Sequence, residues 1–249
     1  MTKFRIIPFQ YFNAFTNMAI DEAIMESVRG GNSLPTIRFY GWEPSAVSIG
    51  IFQGIKNEVN LEETAKAGID VVRRLTGGGA VYHDILGEVT YSLIAPLDLF
   101  PTKIIESYRL ICDDIVHALN LLGINSVFSP INDILVNEQK ISGNAQTRRN
   151  GILLQHGTIL YSVDVEKMFT YLNVSDQKIS DKLIKSVQKR VTSVKDQTDA
   201  GMDELQKALI QGFKRNRDAE FGDYSDQELK RAEQIVGSRF NNKDWTFRL

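Results

Sequence analysis

The stretch "VVRRLTGGGAVYHD" runs from Val71 to Asp84 and places three consecutive glycines directly after a strand-like segment and two arginines. Glycine loses more conformational freedom on folding than any other residue, so this run needs a structural or functional reason. One reason is geometric, because glycine runs after strands often form tight turns or bulges. The other is a ligand that lies against the bare backbone, with Arg73, Arg74 and Thr76 beside it.

Two common phosphate-binding motifs do not fit this stretch. A Walker A loop needs lysine and then serine or threonine after its last glycine, where this sequence has Ala80, Val81 and Tyr82. A dinucleotide fingerprint needs glycine or alanine at Tyr82 and then a helix, whereas the strand-like "EVTYSLI" follows here. The ligand interpretation therefore becomes a phosphate or nucleotide site of another type, in which backbone N–H groups and an arginine hold phosphate oxygens.

The composition is that of an ordinary globular protein: 249 residues, 43% hydrophobic, 24% charged, with a net charge of -2. This near-neutral balance argues against a nucleic-acid partner, which usually requires a basic excess. The N-terminus lacks the pattern of a signal peptide, and no stretch approaches the roughly 18 apolar residues of a membrane-spanning helix. The single cysteine, Cys112, cannot form an internal disulfide. Together these features predict a cytoplasmic protein with no membrane partner.

Strand-like and helix-like segments alternate along the chain and predict an α/β protein of the α+β type, with a large mixed β-sheet and surrounding helices. The predicted strands include "KFRIIP", "TIRFYGW", "AVSIGIF", "IDVVRRL", "EVTYSLIAP" and "GILLQHGTILYSV". The clearest helix is "IESYRLICDDIVHALNLLG", with an apolar stripe of Tyr108, Ile111, Ile115, Leu119 and Leu122. We expect residues 1–249 to form a single domain, with a mostly helical and polar tail from about Val165.

A second stretch, "NDILVNEQKISGNAQ", begins at Asn132 and combines an acid with a lysine. If this stretch is a hairpin, Lys140 begins its second strand and lies close to Asp133. An aspartate can hold Mg²⁺ against phosphate oxygens, and a lysine can neutralise charge as a carboxylate attacks the α-phosphate. From the spacing alone, the simpler alternative that both are solvated turn residues stays open.

These two stretches, in this order, resemble the signature segments of the lipoate–protein ligase family. Further matches are "HGTIL" at residues 156–160 and the basic "IKSVQKRVTSVKD", so the resemblance spans nearly the whole chain, from about Arg5 to "NKDWTF". It implies the catalytic domain that lipoate ligases, octanoyltransferases and biotin ligases share. It also implies that ATP activates lipoate to lipoyl-AMP, and that a lysine of an acceptor protein then attacks the mixed anhydride.

The resemblance also implies roles for individual residues. Lys140 would be catalytic, and Asp133 would help to hold Mg²⁺. The nucleotide would contact Arg74, Gly77, Gly78, Gly79, Ala80, Val81, Tyr82 and Lys140, and lipoate would contact Lys140, Gly78, His83 and His156.

The three histidines allow more than one interpretation. His83 either anchors the glycine loop or is a satisfied core residue, and neither is preferred. His156 lies between apolar strand residues, which favours a structural role, and His117 lies in the middle of a helix. Three histidines so scattered do not form a zinc site.

The acceptors implied by the resemblance are the lipoyl domains of 2-oxoacid dehydrogenase complexes or the H protein of the glycine cleavage system. Many family members continue into a small C-terminal domain that helps to activate lipoate, whereas this sequence stops at Leu249. Three alternatives therefore stay open: the small domain is a separate polypeptide, the chain does not need it, or the chain only transfers preformed lipoyl-AMP.

Octanoyl or lipoyl transferases with the same fold take the acyl group from a protein donor through a cysteine thioester, which requires a thiolate in the pocket. Cys112 is the one thiol of the chain, and the adjacent Asp113 and Asp114 raise rather than lower a thiol pKa. The sequence therefore favours an ATP-dependent ligase, with a transferase as the alternative. A binding module without turnover is a third possibility, against which Lys140 near Asp133 weighs.

Overall fold

The structure, a computed structural model, describes residues 2–173 and 181–249; the part of the predicted helical tail at 174–180 lies outside these residues. The strands are β1 (Lys3–Phe12), β2 (Thr36–Trp42), β3 (Ala46–Ile49), β4 (Asp70–Arg73), β5 (Val81–His83), β6 (Glu88–Pro96), β7 (Val127–Ser129), β8 (Asp133–Val136), β9 (Gln139–Arg149), β10 (Ile152–Leu160) and β11 (Asp218–Phe221). The α-helices are α1 (Ala14–Arg29), α2 (Ile55–Glu58), α3 (Leu61–Lys66), α4 (Ile104–Leu121), α5 (Val165–Tyr171), α6 (Asp181–Gln188), α7 (Val194–Gln197), α8 (Met202–Lys214), α9 (Asp226–Ile235) and α10 (Lys243–Thr246). A 3₁₀ turn (Leu97–Leu99) and a π-helical turn (Val236–Phe240) complete the described elements.

Two sheets organise the described residues. The large sheet has eight strands in the order β11-β1-β2-β6-β10-β9-β8-β7, and the small sheet has the order β4-β3-β5. Strand β1 pairs in parallel with β2 and β11, whereas the remaining neighbours of the large sheet are antiparallel. The predicted fold class, a large mixed sheet with surrounding helices, is therefore confirmed. Among the described helices, none has the length and apolar character needed to cross a membrane.

One face of the large sheet is covered by α4 and α8. Ile111, Ile115 and Leu119 of α4 are fully buried there, as their helical spacing predicted. Leu122 is only partly buried, because α4 ends at Leu121 and the chain turns away at Gly123, whose φ of 77° favours glycine.

The other face is covered by α1 and α9, and this is the face that carries the cavity described below. Helix α1 begins at the cap residue Asn13, whose side chain accepts a hydrogen bond from the Thr16 amide. Its apolar stripe is buried against the sheet side chains Tyr40 and Trp42. Since α1 also presents Met18 to this face, its register determines what lines the cavity.

The C-terminal part contributes more to the fold than its polar composition predicts. Helix α8 buries Leu205, Leu209 and Phe213 in the core, because one apolar face is enough to dock a helix of low average hydrophobicity. Strand β11 adds an edge to the large sheet, although its polar sequence carries no strand pattern. Its pairing with β1 is a non-local contact that sequence periodicity does not reveal.

Candidate active site

A cavity of about 350 Å³ opens where the small sheet meets the α1 face of the large sheet, with α5 along one side. This volume falls in the usual range for a small-molecule site. Most of the predicted site residues line it: Arg74, Gly78, Gly79, Ala80, Val81, Tyr82, His83, Lys140 and His156. Gly77 and Asp133 are not among the lining residues, although both are neighbours of residues that are.

Arg74 organises the glycine loop. Its Nη2 donates to the carbonyls of Gly77 (2.8 Å) and Gly79 (2.7 Å), its Nη1 donates to the backbone and hydroxyl of Ser48, and its Nε donates to Thr76 Oγ1. A guanidinium has five N–H donors, so all of them are engaged by protein acceptors. Burial lowers the pKa of Arg74 to about 10, which still leaves it charged at neutral pH. In this arrangement Arg74 shapes the loop and adds positive potential, and a direct contact with phosphate stays a prediction.

The glycines of the loop differ in what the backbone requires of them. Gly78 has a φ of 93°, and its carbonyl oxygen would lie 2.2 Å from a Cβ placed on Gly50. The positive φ therefore accounts for glycine at position 78, and the close approach of the Gly78 carbonyl accounts for glycine at position 50. In contrast, a Cβ on Gly77 or Gly79 would meet no atom of the described residues within 4 Å, and neither has a positive φ. Because Gly79 lines the cavity, a ligand remains a reason for its missing side chain.

His83 is anchored in the cavity wall. Its Nε2 lies 2.8 Å from Ser48 Oγ, its Nδ1 lies 2.7 Å from Glu88 Oε1, and its ring stacks on Trp42 with centroids 4.0 Å apart. Both ring nitrogens therefore have protein partners. Of the two interpretations that the sequence left open, this geometry fits the satisfied core residue: His83 is 4% exposed, and its partners Ser48 and Glu88 lie outside the glycine loop. A contact between His83 and lipoate stays a prediction.

His156 connects the glycine loop to a buried charge pair. Its Nε2 lies 2.7 Å from Thr76 Oγ1 and its Nδ1 lies 3.3 Å from Asp21 Oδ2. Burial lowers the pKa of His156 and favours the neutral ring. Asp21 in turn forms a salt bridge of 3.0 Å with the fully buried Arg38. This network was not predicted from the sequence, since nothing distinguishes Asp21 from a solvated acid of an amphipathic helix.

The hairpin predicted around Lys140 is confirmed. Strands β8 and β9 pair antiparallel, and Asn137 and Glu138 make the turn with φ values of 48° and 65°. The Lys140 ammonium lies 2.7 Å from Asp133 Oδ1. A Cβ on Gly143 would lie 2.7 Å from Lys140 Nζ, so glycine at this position makes room for the ammonium group.

Asp133 fits the role of a magnesium ligand. Its Oδ1 is buried and, apart from the ion pair with Lys140, has no hydrogen-bond partner in the part of the chain that the structure describes. Mg²⁺ is usually held by one or two carboxylates together with substrate phosphates, so a single aspartate is a suitable donor set. Within the described residues there is no group of three or more His, Cys, Asp or Glu that could form a protein-only metal centre.

Helix α5 closes one side of the cavity, a contribution that was not predicted from the sequence either. Lys167 forms an ion pair of 2.6 Å with Asp84, at the end of the glycine motif. The rings of Tyr82 and Tyr171 lie against each other with centroids 5.1 Å apart. The sequence offered one hint of this contact, the charged Asp84 at the end of the glycine motif. Its partner Lys167 lies more than 80 residues away, so the pairing could not be read from the sequence.

Cys112 lies on the face of the large sheet that is covered by α4 and α8. It is fully buried on α4, and Gln155 Nε2 donates to its Sγ at 3.8 Å. Burial raises the pKa of the thiol far above its ordinary value. Successive side chains of a strand point to opposite faces, so Gln155 faces α4 while the next residue, His156, faces the cavity. The thiol and the cavity therefore lie on opposite faces of the large sheet.

The mixed sheet, the glycine loop and the adjacent lysine hairpin define the class of catalytic domain found in lipoate ligases and their transferase relatives. The chain belongs to this family: residues 13–214 match the model of the lipoyl protein ligase A/B catalytic domain. The resemblance inferred from the sequence motifs is thereby confirmed.

Curated relatives cover nearly the whole chain and carry two kinds of name. The octanoyltransferase LipM of Clostridioides difficile (strain 630) is 33% identical, with 98% of each chain covered. The lipoate-protein ligase A subunit 1 of Thermoplasma acidophilum is 34% identical, covering 95% of this chain and 93% of its own. The comparisons therefore show an enzyme of the lipoate ligase and transferase family.

Solved structures show the same fold. A bipartite lipoate protein ligase of T. acidophilum, studied with its E2 lipoyl domain, superimposes with a TM-score of 0.89 at 32% identity, covering 99% of this chain and 97% of that one. A lipoate-protein ligase A bound with ATP has a TM-score of 0.85 at 30% identity, with 98% of both chains covered. A T. acidophilum structure with bound lipoic acid also has a TM-score of 0.85 at 30% identity, with both chains fully covered.

Proposed function

We propose that the protein is an ATP-dependent lipoate–protein ligase, which converts lipoate to lipoyl-AMP and transfers the lipoyl group to a lysine of an acceptor protein. The observation that carries this proposal is the position of Cys112. A thioester-forming transferase needs a thiolate beside the acyl group, whereas this thiol is buried across the sheet with a raised pKa. The position of Cys112 therefore supports the ATP-dependent reaction, which needs no thiol.

In the first step, a carboxylate oxygen of lipoate attacks the α-phosphorus of ATP and pyrophosphate leaves. The Lys140 ammonium would lie between the carboxylate and the α-phosphate and offset their mutual repulsion. Mg²⁺ held by Asp133 would neutralise the charge of the departing phosphates. The bare backbone of the glycine loop would allow the close approach of the phosphate, and Arg74 keeps that loop in shape.

In the second step, the amine of the acceptor lysine attacks the carbonyl carbon of lipoyl-AMP, and AMP leaves as the amide forms. Lys140 would stabilise the oxyanion of the tetrahedral intermediate. The acyl chain would lie along the apolar part of the cavity, between Met18, Trp42 and Met168. The stacked ring of His83 and the ring of His156 would bound it on the sheet side.

The partners follow from the same proposal. The acceptor would be a lipoyl domain of a 2-oxoacid dehydrogenase complex, or the glycine cleavage H protein. The related T. acidophilum ligase is bipartite, which supports a separate accessory polypeptide for this chain as well. That polypeptide would assist the first step. A single catalytic domain over residues 1–249 and a cytoplasmic location belong to this proposal as well.

The second candidate is an octanoyl or lipoyl transferase with an acyl-protein donor. Its support is the name octanoyltransferase, which the C. difficile relative carries at 33% identity. This candidate would require Cys112 to reach the cavity, or a transfer without a thioester.

Pyrophosphate release from ATP, measured with the purified chain with and without lipoate, tests the proposal. We expect lipoate-dependent release by the chain alone, or release that requires the accessory polypeptide while transfer from synthetic lipoyl-AMP proceeds without it. If the chain shows neither lipoate-dependent pyrophosphate release nor transfer from lipoyl-AMP, but transfers the acyl group of octanoyl carrier protein, it is a transferase instead.

Replacing Cys112 with serine should leave most lipoyl transfer intact, because the thiol lies on the far face of the sheet from the cavity. Transfer rates of Cys112→Ser and Cys112→Ala, measured with lipoyl-AMP and an acceptor domain, check this expectation. A serine without a neighbouring base is a poor nucleophile, so a thioester enzyme would lose nearly all activity in both variants. An acyl adduct on Cys112, found by mass spectrometry after incubation with octanoyl carrier protein, would also contradict it.

A further inference from the structure

Asn144 holds the segment that leads into Asp133. Its backbone amide and its side-chain Nδ2 both donate to the Asn132 carbonyl, at 3.0 and 2.9 Å. The Asn132 side chain in turn donates to the Asn144 carbonyl. These reciprocal hydrogen bonds leave the backbone just before Asp133 little freedom to shift.

Asn144 is among the residues that line the cavity, but its side-chain amide points to the face of the sheet opposite to Lys140. Gly143 faces Lys140, since a Cβ there would lie 2.7 Å from the ammonium and 3.7 Å from Asp133 Oδ1. The next residue along a strand points to the other face. Accordingly, the Asn144 side chain meets Tyr91, whose hydroxyl donates to its Oδ1 at 2.7 Å.

The surroundings of Asn144 are built to hold it in one orientation. It is only 4% exposed, and a Cβ on Gly157 would lie 2.1 Å from its Oδ1, so glycine at position 157 leaves room for the amide. Gln155 donates to the Tyr91 hydroxyl at 2.7 Å and so directs the hydroxyl proton of Tyr91 towards Asn144. A buried amide with partners for both its oxygen and its nitrogen restrains its neighbours strongly.

We propose that Asn144 is the positioning residue of the site, which places the Asp133 carboxylate against Lys140 by holding the Asn132 backbone from the far face of the sheet. This inference rests on the proposed function only in taking Asp133 and Lys140 as the acting pair. When the Nδ2 donor is lost, the Asp133 carboxylate moves relative to the ammonium. Both chemical steps then slow, while docking of the acceptor protein is unchanged.

The variant Asn144→Asp tests this inference. Aspartate has the same shape and still accepts from Tyr91, but its carboxylate cannot donate to the Asn132 carbonyl and repels it. We expect kcat for transfer from lipoyl-AMP to fall by about 10–100-fold, the range typical of losing a residue that supports a ligating group without touching the metal. The KM for the acceptor should stay within about twofold.

Tyr91→Phe is the matched control, because it removes the neighbouring hydrogen bond of Asn144 and leaves the three hydrogen bonds between Asn144 and Asn132 in place. We expect its kcat to stay within about threefold of the unmodified protein. If kcat falls equally in Asn144→Asp and Tyr91→Phe, the effect comes from general packing and the proposal is overturned. If Asn144→Asp does not fold, Asn144→Ser replaces it in the same comparison.

Two further measurements separate this inference from the proposed function. Lipoyl-AMP affinity, measured by calorimetry with and without Mg²⁺, should show a smaller gain from Mg²⁺ in Asn144→Asp than in the unmodified protein. A crystal structure of that variant should show a longer distance between Asp133 and Lys140; an unchanged 2.7 Å with an unchanged kcat would overturn the proposal. If neither the chain alone nor the chain with its accessory polypeptide releases pyrophosphate from ATP in the presence of lipoate, the proposed function fails, whereas transfer from synthetic lipoyl-AMP still reports on Asn144.

Discussion

Replacing Lys140 with alanine should reduce lipoyl transfer by about 10²–10³-fold, the usual cost of removing one preorganised electrostatic contact from a transition state. The fold should be retained, because the Lys140 side chain is 41% exposed and a partly exposed ion pair contributes little to stability. Single-turnover transfer from lipoyl-AMP, together with the melting temperature, measures both effects. A near-normal rate in Lys140→Ala would remove Lys140 from the mechanism.

Two further lysine variants sharpen this test. Lys167→Ala is a matched control, since Lys167 is 42% exposed and pairs with Asp84 at 2.6 Å on the other side of the cavity. Its loss should cost no more than about threefold, as expected of an exposed ion pair that only supports α5. Lys140→Arg should not restore full activity, because a planar guanidinium does not fit the space that Gly143 leaves for a compact ammonium.

Adding a methyl group at Gly79 should weaken lipoyl-AMP binding without unfolding the protein. Gly79 lines the cavity, has no positive φ, and has open space where the Cβ would stand. Overpacking against a ligand costs about 1–3 kcal/mol, which corresponds to roughly 5- to 150-fold in affinity. Calorimetry with lipoyl-AMP and thermal melting of Gly79→Ala measure the two effects separately.

The control is Gly77→Ala, which also adds a methyl group in open space but at a residue that does not line the cavity. It should bind lipoyl-AMP normally. If Gly79→Ala and Gly77→Ala bind lipoyl-AMP with equal affinity, the loop glycines are needed only for the conformation of the turn and not for contact with the ligand.

Gly78 is unsuitable for this comparison, because its φ of 93° makes any side chain strained. A Cβ there would also lie 3.0 Å from the Arg74 guanidinium. Gly78→Val should therefore destabilise the fold by about 1–3 kcal/mol and weaken binding at the same time. From the sequence, the three glycines of the run look equivalent, and only the backbone conformation separates them.

The local motifs were predictable because each depends on residues that are close along the chain. The hairpin that pairs Asp133 with Lys140 needs only a two-residue turn, so the spacing of the motif already implied their contact. The apolar stripe of α4 follows from helical periodicity in the same way. The family resemblance rests on equally short segments, and for that reason the amino-acid sequence alone was enough to reveal it.

What the sequence by itself determined is the fold class, the family, and the two segments that line the cavity. The tertiary structure decided the rest through contacts between residues far apart in the chain. It placed Cys112 across the sheet from the cavity, engaged the donors of Arg74 with the loop and with Ser48, and joined His156 to Asp21 over 135 positions. Periodicity reports which face of an element is apolar, but not which element covers it. The partners of a buried polar group therefore emerge only when the strands have paired and the helices have docked.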